Sequence, residues 1–415
     1  MRSLAEWLEQ QQKSHPSAIE LTLDRVREVA RRLDLLAPAY PVLTVGGTNG
    51  KGSTVAWIDA MLRAADLRCG RFTSPHLVRY NERICIDGVE ASDASLIASF
   101  ERIDAARGEI TLTFFEYNAL AALDQFREAR VDVGVLEVGL GGRLDATNII
   151  DADVAVVCSI GLDHADWLGN TLEAIGREKA GIFRNGHPAV LGTDDMPRSL
   201  WNVIDETGAR AVVPGRDYQV RPHAQLWDFE YDACLLRDLP MPSLSGVHQV
   251  GNAGTALAAI TAGVDVTLTH ASVSHALRSV RLAGRFQRIP GKVEWVLDVA
   301  HNVPAAQGLA ANLRMLPRVR TIAVCAIFGD KDIPGITAAL ATEIDAWILV
   351  ALDGPRAVST AELARQLPRG ATVLGSADSV AGGCRRARDA AAPGERILVF
   401  GSFLTVGPAL EFIGL

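Results

Sequence analysis

The sequence has no apolar run that approaches the roughly 18 to 20 residues that a membrane-spanning helix requires. It also lacks an apolar stretch near its first residue, where Glu6 and Glu9 stand in place of the hydrophobic segment of a signal peptide. These two absences predict a cytoplasmic protein without a membrane partner.

Positive charge is neither abundant nor clustered in this chain. There are 41 basic and 49 acidic residues, and the formal net charge is −8. Nucleic acid is therefore not expected as the main partner, because no basic stripe is present to neutralise phosphates. The densest basic patch, at Arg385, Arg386 and Arg388, is typical of a solvated helix face.

Cysteine and lysine are both scarce. The 6 cysteines include no C-x-x-C pair, so neither a zinc site nor a disulfide framework is expected. Only five of the 41 basic residues are lysines, which indicates a coding bias towards arginine. Each remaining lysine is a candidate for chemistry that a guanidinium cannot perform, with coincidence as the alternative explanation for any one of them. The five are Lys13, Lys51, Lys179, Lys292 and Lys331.

The chain does contain alternating strand and helix patterns, which are typical of an α/β protein. Its 415 residues are 48% apolar and 22% charged, a globular composition with room for about two or three domains. Apolar strand-like runs at residues 40–45, 131–138, 153–159 and 189–192 alternate with helical patterns, which predicts a parallel sheet covered by helices. Short strands at 211–213, 218–220 and 226–231 are expected to be antiparallel and peripheral. The alternation resumes after residue 293, and a Gly- and Pro-containing linker at 284–291 predicts two domains, residues 1–287 and 288–415.

Residues 44–54 have the character of a phosphate-binding loop. The segment TVGGTNGKGST follows an apolar strand and opens a helix, so its backbone N–H groups and the helix N-terminus would face a phosphate. The match to G-x-x-x-x-G-K-[ST] is imperfect, because Val45 replaces the first glycine and Gly52 follows Lys51. ATP is the expected ligand, and a glycine-rich turn without a ligand is the alternative. The expected nucleotide-binding residues are Gly47, Thr48, Asn49, Gly50, Lys51, Gly52, Ser53 and Thr54.

Charged and polar side chains end several of the predicted strands. Glu137 ends one strand, and Asp163 and His164 follow the next, where open α/β sheets gather their active sites. These groups are candidates for Mg²⁺ ligands or acid–base catalysis, with a surface carboxylate and a structural histidine as the alternatives. Lys179 follows on the next helix; a partly buried lysine can bind CO₂ as a carbamate, which arginine cannot.

The second domain repeats this pattern. One of its strands ends in Asp298, followed by His301 and Asn302, and the next strand ends near Lys331. Two adjacent strand ends with polar groups define the mouth of that domain, which we expect to face the ATP loop across a cleft. The role of Lys331 stays open.

The ordered motifs resemble those of the folylpolyglutamate synthases and dihydrofolate synthases, members of the wider Mur ligase group. The resemblance covers nearly the whole chain, and in this family the glycine before Ser53 is normal. The motifs are GTNGKGS at 47–53, TSPHL at 73–77, NERI at 81–84, FE at 115–116, EVGLGGRLDATN at 137–148, DH at 163–164, EKAGI at 178–182, GR at 284–285 and DVAHN at 298–302.

The resemblance implies a Mur-ligase-type P-loop ATPase domain with a parallel central sheet, followed by a smaller Rossmann-like domain. It implies ATP and two Mg²⁺ sites as cofactors, with an optional monovalent cation. The metal ligands would be Ser53, Glu137, His164 and a carbamylated Lys179. Asn252 would contact adenine, Arg285 the phosphates, and Asp298 and His301 the nucleotide from the second domain, with Lys51, Lys179, Asp298 and His301 as the catalytic group. The substrate pocket would include Thr73, Ser74, Pro75, His76, Arg83 and Phe115.

The implied activity is the ATP-dependent addition of L-glutamate to dihydropteroate and to reduced folates, through an acyl phosphate, by a monomeric enzyme. The segment VFGSFLTV at 399–406 resembles the bacterial bifunctional type, and a monofunctional folylpolyglutamate synthase is the alternative. A ligase for peptidoglycan precursors would carry another N-terminal domain, whereas only about one helical segment precedes this loop. A P-loop switch protein would hydrolyse ATP without a second substrate.

Overall fold

The computed structural model describes residues 2–415. The helices are α1 (Leu4–Lys13), α2 (Asp24–Arg32), α3 (Lys51–Arg63), α4 (Asp93–Arg107), α5 (Phe114–Ala129), α6 (Ala165–Leu168), α7 (Leu172–Ala180), α8 (Arg198–Thr207), α9 (Gln249–Gly263), α10 (His270–Ser279), α11 (Val303–Arg314), α12 (Ile333–Ala339), α13 (Thr360–Arg365), α14 (Val380–Ala390) and α15 (Phe403–Ile413). The strands are β1 (Val42–Gly46), β2 (Cys69–Phe72), β3 (Ile84–Ile86), β4 (Val89–Glu90), β5 (Val133–Glu137), β6 (Val154–Val157), β7 (Pro188–Leu191), β8 (Arg210–Val212), β9 (Tyr218–His223), β10 (Leu226–Tyr231), β11 (Cys234–Pro240), β12 (Gln287–Ile289), β13 (Glu294–Asp298), β14 (Thr321–Cys325), β15 (Ala346–Val350), β16 (Val373–Ala377) and β17 (Arg396–Phe400).

The large sheet has the strand order β4-β3-β2-β5-β1-β6-β7-β8. Its central strand β1 runs parallel to both β5 and β6, and every residue of these three strands is buried. Strands that are apolar throughout fit this position, because both faces of the sheet are covered. The carboxyl ends of β1, β5 and β6 therefore lie side by side, which is where ligands bind in open α/β sheets.

The two faces of this sheet carry different cores. On one face α3, α9 and α10 pack together with the antiparallel sheet β9–β10–β11, around the buried Trp57 and Trp227. The helices α1, α2, α4 and α5 form the other core, around Trp7, Phe100 and Phe126. Each core buries the apolar faces of its helices against the sheet whose strand ends carry the loops.

The C-terminal sheet has the order β12-β13-β17-β14-β15-β16 and is parallel except for β12. The inner residues of its strands β13, β14, β15 and β17 are apolar and buried, with α11 and α12 packed on one side and α14 and α15 on the other. The ends of β13 and β14 point towards the large sheet, as the Asp163 contacts described below require.

The structure confirms the α/β class, with a large and mostly parallel central sheet followed by a separate C-terminal sheet. It corrects three details. Strand β8 extends the large sheet parallel to β7, with Pro188 opposite Arg210, and is not antiparallel and peripheral as its short length suggested. Two helices, not one, precede the phosphate loop. The hairpin β3–β4 was not predicted, because strands of three and two residues carry no readable alternation. Among residues 2–415, no helix is long and apolar enough to cross a bilayer.

Candidate active site

A cavity of about 770 Å³ lies between the two domains, where the carboxyl ends of their central strands face each other. The phosphate loop and the ends of β5 and β6 form one wall, and the segment before β12, the segment after β13 and part of α11 form the other. Each of the residues expected to bind nucleotide, apart from Thr54, lines this cavity.

The phosphate loop has the backbone that its glycines predict. Gly47 has φ 139°, and a Cβ there would lie 3.1 Å from the backbone nitrogen of Cys158, so a side chain would be both strained and crowded. Gly50 caps α3 with φ 91°, and the helix starts at Lys51. Thr48 N–H donates to the Ser159 carbonyl at 2.7 Å, which ties the loop to the end of β6.

Lys51 is folded back over the loop. Its Nζ donates to the carbonyl oxygens of Gly47 at 3.0 Å and Thr48 at 3.3 Å. A flexible ammonium held by neutral carbonyls is free to exchange them for phosphate oxygens, because a charged acceptor makes the stronger hydrogen bond.

Lys179 reaches the same loop from α7. Its side chain is buried, and its Nζ donates to the Gly47 carbonyl at 3.0 Å. Burial, together with the nearby charge of Lys51, lowers the pKa of Lys179 to about 7. A large fraction of the amine is therefore unprotonated near neutral pH, which is the state that reacts with CO₂.

Glu137 ends β5 as a buried carboxylate. Its Oε2 accepts from Ser74 N–H at 3.2 Å, and both carboxylate oxygens lie 3.8 Å from where a Cβ on Gly52 would stand. Burial raises the pKa of Glu137, and the charges of Lys51 and Arg285 oppose that rise. A carboxylate beside the loop and two cations is a suitable oxygen ligand for Mg²⁺.

Arg285 enters the cavity from the interdomain linker. One guanidinium nitrogen lies 3.4 Å from the Cβ position of Gly52, and the guanidinium carbon lies 5.1 Å from the centre of the Phe403 ring. Within residues 2–415 the Arg285 side chain has no hydrogen-bond acceptor, and burial lowers its pKa. Five unused donors next to the phosphate loop are suited to an anion.

The four residues expected to ligate metal all line the cavity. Ser53 Oγ is buried and accepts only a long hydrogen bond, 3.4 Å from Gln249 Nε2. Burial lowers the pKa of His164 to about 4, so its imidazole is neutral and able to ligate. These donors fit a divalent cation. Another compact trio of potential ligands, His223, Asp228 and Asp238, lies elsewhere, on the antiparallel sheet β9–β10–β11.

The remaining nucleotide candidates are partly engaged with protein groups. Asp298 accepts from Phe286 N–H and Ala300 N–H, each at 2.8 Å, and thus orders the linker next to Arg285. His301 Nδ1 lies 2.8 Å from the Val299 carbonyl. Asn252 Oδ1 lies 3.0 Å from the Cβ position of Gly50, so its amide borders the phosphate loop.

The expected substrate residues divide into two groups. Ser74 and Pro75 line the cavity, whereas Thr73, His76, Arg83 and Phe115 are not among its lining residues. Arg83 is buried, donates from Nε to His76 Nδ1 at 2.8 Å and lies over the Phe114 ring. Phe115 packs against the backbone of Gly139 at the end of β5. A substrate role for this second group stays a prediction.

Three further residues join the domains: Asp163, which the sequence offered as a candidate Mg²⁺ ligand or acid–base group, and Lys331 and Asn302, to which it assigned no role. Asp163 Oδ1 accepts from Lys331 Nζ at 2.5 Å, and Asp163 Oδ2 accepts from Asn302 Nδ2 at 3.0 Å. Burial raises the pKa of Asp163, but the hydrogen bond from His301 and the surrounding positive charges outweigh it and hold the pKa well below its usual range. The strand-end positions were visible in the sequence; the pairing across 168 residues was not.

Comparison with known proteins places this geometry in context. The Mur ligase middle domain matches residues 45–260, and the Mur ligase glutamate ligase domain matches residues 284–403. The dihydrofolate synthase/folylpolyglutamate synthase of Escherichia coli K12 is 44% identical over 412 residues, which are 99% of this chain and 95% of that protein.

Two solved structures are closely similar. Escherichia coli FolC in complex with DHPP and ADP has a TM-score of 0.94 at 43% identity, covering 99% of this chain and 98% of that one. A bifunctional folylpolyglutamate synthase/dihydrofolate synthase with Mn, AMPPNP and L-glutamate bound has a TM-score of 0.92 at 42% identity, covering 100% and 99%. Both similarities extend over the two domains and the cavity between them.

Proposed function

Because this chain belongs to the dihydrofolate synthase/folylpolyglutamate synthase family of Mur ligases, we propose that it is an ATP-dependent ligase that adds L-glutamate to dihydropteroate and to the γ-carboxyl of reduced folates. The observation that carries the proposal is the interdomain cavity of about 770 Å³, in which a phosphate loop, a buried carboxylate and an unpaired guanidinium converge.

The reaction needs carboxylate activation, because joining a carboxylate to an amine in water is uphill. A carboxylate oxygen of the pteridine substrate attacks the γ-phosphorus of ATP, the bond to the β-phosphate oxygen breaks, and ADP leaves. The glutamate nitrogen then attacks the acyl carbon, the bond to the phosphate oxygen breaks, and the nitrogen loses a proton. Inorganic phosphate and the amide are the products.

The chain's own cations stabilise the first step. Lys51 would exchange the Gly47 and Thr48 carbonyls for phosphate oxygens, and Arg285 would donate to the same anion. Positive charge fixed next to the transferring phosphoryl group stabilises its transition state without reorganisation. When bound, Mg²⁺ would add positive charge there, held by Ser53 and Glu137 at one site.

Lys179 is proposed to complete a second Mg²⁺ site as a carbamate, with His164. The unprotonated Nζ attacks CO₂, one C–O π pair moves to oxygen, and the nitrogen releases a proton to solvent. The product is an added carboxylate next to the loop that Lys179 already contacts. Its low pKa supports this role, because only the free amine reacts.

The finer assignments are proposals on the same basis. Asn252 would contact adenine, and Asp298 and His301 would meet the nucleotide from the second domain. The pteridine would lie along Thr73, Ser74, Pro75, His76, Arg83 and Phe115. Residues 1–287 and 288–415 would be the two units that close over the substrates, in a monomeric, cytoplasmic enzyme.

The test is the release of ADP by the purified protein with ATP, Mg²⁺ and glutamate. We expect release only when dihydropteroate or tetrahydrofolate is also present, with one glutamylated product per ADP. Glutamate-dependent activity with tetrahydrofolate but not with dihydropteroate would identify a monofunctional folylpolyglutamate synthase. ADP release at a rate that depends on neither glutamate nor pteridine would overturn the ligase proposal.

A further inference from the structure

Asp163 is the point at which the catalytic loop of the first domain meets the second domain. Its carboxylate has four polar neighbours, and three of them belong to the second domain. They are Lys331 Nζ at 2.5 Å, Asn302 Nδ2 at 3.0 Å and His301 Nε2 at 3.4 Å. The fourth is the backbone N–H of His164 at 2.9 Å, next to Asp163 in the chain.

Lys331 and Asp163 form a buried ion pair. Their side chains are 6% and 7% exposed. The other acidic neighbour of Lys331, Asp330, is 3.8 Å away and is also paired with Arg356 at 3.2 Å. Buried charges persist when each has a partner, and removing one partner leaves the other uncompensated. Separating the domains would expose both groups, so the pair belongs to the closed arrangement.

A second contact connects this pair to the phosphate loop. Asn302 and Asn49 exchange two amide hydrogen bonds, each 3.1 Å long. Asn302 also donates to Asp163, so one side chain of the second domain contacts both the phosphate loop and the loop that carries His164. The position of the second domain is therefore set against both parts of the nucleotide site.

Lys331 itself does not reach the reacting groups. Asp163 is among the residues that line the cavity, and Lys331 is not. The ion pair lies at the boundary between the domains, where opening would admit water. An acyl phosphate that forms in an open site is hydrolysed, and ATP is then consumed without amide formation.

We propose that Asp163 and Lys331 form an interdomain latch, which holds the domains closed until glutamate has attacked the acyl phosphate. The inference rests on the proposed ligase function. Lys331 is a positioning residue: it acts through Asp163 and the domain arrangement, and it contacts no substrate. Its loss therefore affects the coupling of ADP release to product more than nucleotide binding.

The test compares ADP formed with glutamylated product formed, in wild type, Lys331→Met, Lys331→Arg and Asp163→Asn. Wild type should give one product per ADP. Lys331→Met and Asp163→Asn should release several ADP per product and lower kcat/KM for glutamate about 100-fold. Lys331→Met, which changes no residue that lines the cavity, should weaken ADP binding far less than it lowers kcat/KM for glutamate. Lys331→Arg should restore part of the coupling because the charge is kept. Lys292→Met, the same change at an exposed lysine of the second domain, is the matched control and should behave as wild type.

Small-angle scattering of the complex with a non-hydrolysable ATP analogue supplies a readout without turnover. In this complex wild type should be compact, and Lys331→Met and Asp163→Asn should be more extended than wild type. The double variant should be no more extended and no less coupled than the more affected single variant, because both substitutions remove the same interaction.

Full coupling and normal compaction in both single variants would overturn the latch. If Lys331→Met does not fold, Asp163→Asn and Lys331→Arg decide by the same criteria. An inactive wild type, with no glutamate-dependent ADP release, would instead contradict the proposed function, and scattering would still test the latch.

Discussion

Lys51 and Lys179 donate to the same acceptor, the carbonyl oxygen of Gly47, each at 3.0 Å and each from a different helix. Two ammonium groups at one carbonyl repel each other, and the charge of Lys51 adds to burial in lowering the pKa of Lys179. The phosphate loop therefore holds one lysine that is suited to bind phosphate and one that is suited to react with CO₂. Different chemistry is expected from each.

Replacing Lys51 by alanine should remove ATP turnover. The loop would lose its flexible cation next to the transferring phosphoryl group, and we expect kcat to fall by about a factor of 10³. The side chain is only partly buried and bonds two loop carbonyls, so the thermal unfolding midpoint should change little. Wild-type ADP release by this variant would contradict the phosphate-loop assignment.

Replacing Lys179 by arginine should keep the positive charge and lose most of the activity. A guanidinium does not form a carbamate, and its pKa leaves no free amine near neutral pH. Wild type incubated with ¹³C-bicarbonate should show a carbamate carbon resonance that is absent from the variant. Near-normal turnover of Lys179→Arg with both substrates would remove the carbamate role.

Lys179 should also make stability depend on pH in buffer freed of CO₂. Its pKa is about 7 in the folded protein and 10.5 in its ordinary state, so between these values the unfolded chain binds more protons. Its contribution to the free energy of unfolding therefore rises with pH across that window and is at its lowest below pH 7.

The matched variant is Lys179→Met, which carries no charge at any pH. It should exceed wild type in stability at pH 6, by on the order of 3 kcal/mol, and this difference should shrink towards pH 10. Denaturant unfolding at a series of pH values measures it. A constant difference would mean that the buried amine is not the titrating group.

Gly407 should be intolerant of a side chain because it packs against the first domain. A Cβ at this position of α15 would lie 2.1 Å from the carbonyl oxygen of Leu77, in the loop that follows His76. Overpacking of this kind costs about 1–3 kcal/mol, so Gly407→Ala should lower the unfolding midpoint and raise KM for the pteridine. Gly414→Ala, where no atom lies within 4 Å but φ is 87°, is a control for loss of stability without an interdomain clash, and it should lower the midpoint while KM stays unchanged.

Much of the fold was predictable because the inner residues of the buried strands are almost all apolar. Strands β1, β5, β6 and β13 were placed within two residues, since each ends at a polar or glycine-rich segment. Strand β8 was misplaced because a strand of three residues at a sheet edge is too short to show a pattern of its own. Its position depends on pairing with β7.

The site was predictable to the extent that it is local in the chain. The phosphate loop, Glu137 and Lys179 follow or precede recognisable elements, and all line one cavity. The Asp163–Lys331 pair was not predicted, because it depends on how two domains face each other. The hydrogen bond from Arg83 to His76 was also not predicted, because no sequence pattern indicates that a buried guanidinium donates to a neutral imidazole.

The central claim is that the substrate carboxylate is activated as an acyl phosphate in the interdomain cavity and then joined to glutamate. Dihydropteroate labelled with ¹⁸O in its carboxylate tests it most directly, with mass spectrometry of both products. We predict one ¹⁸O in each inorganic phosphate and a dihydropteroate product heavier by one glutamyl unit. Unlabelled phosphate, released without a glutamylated product, would contradict the account.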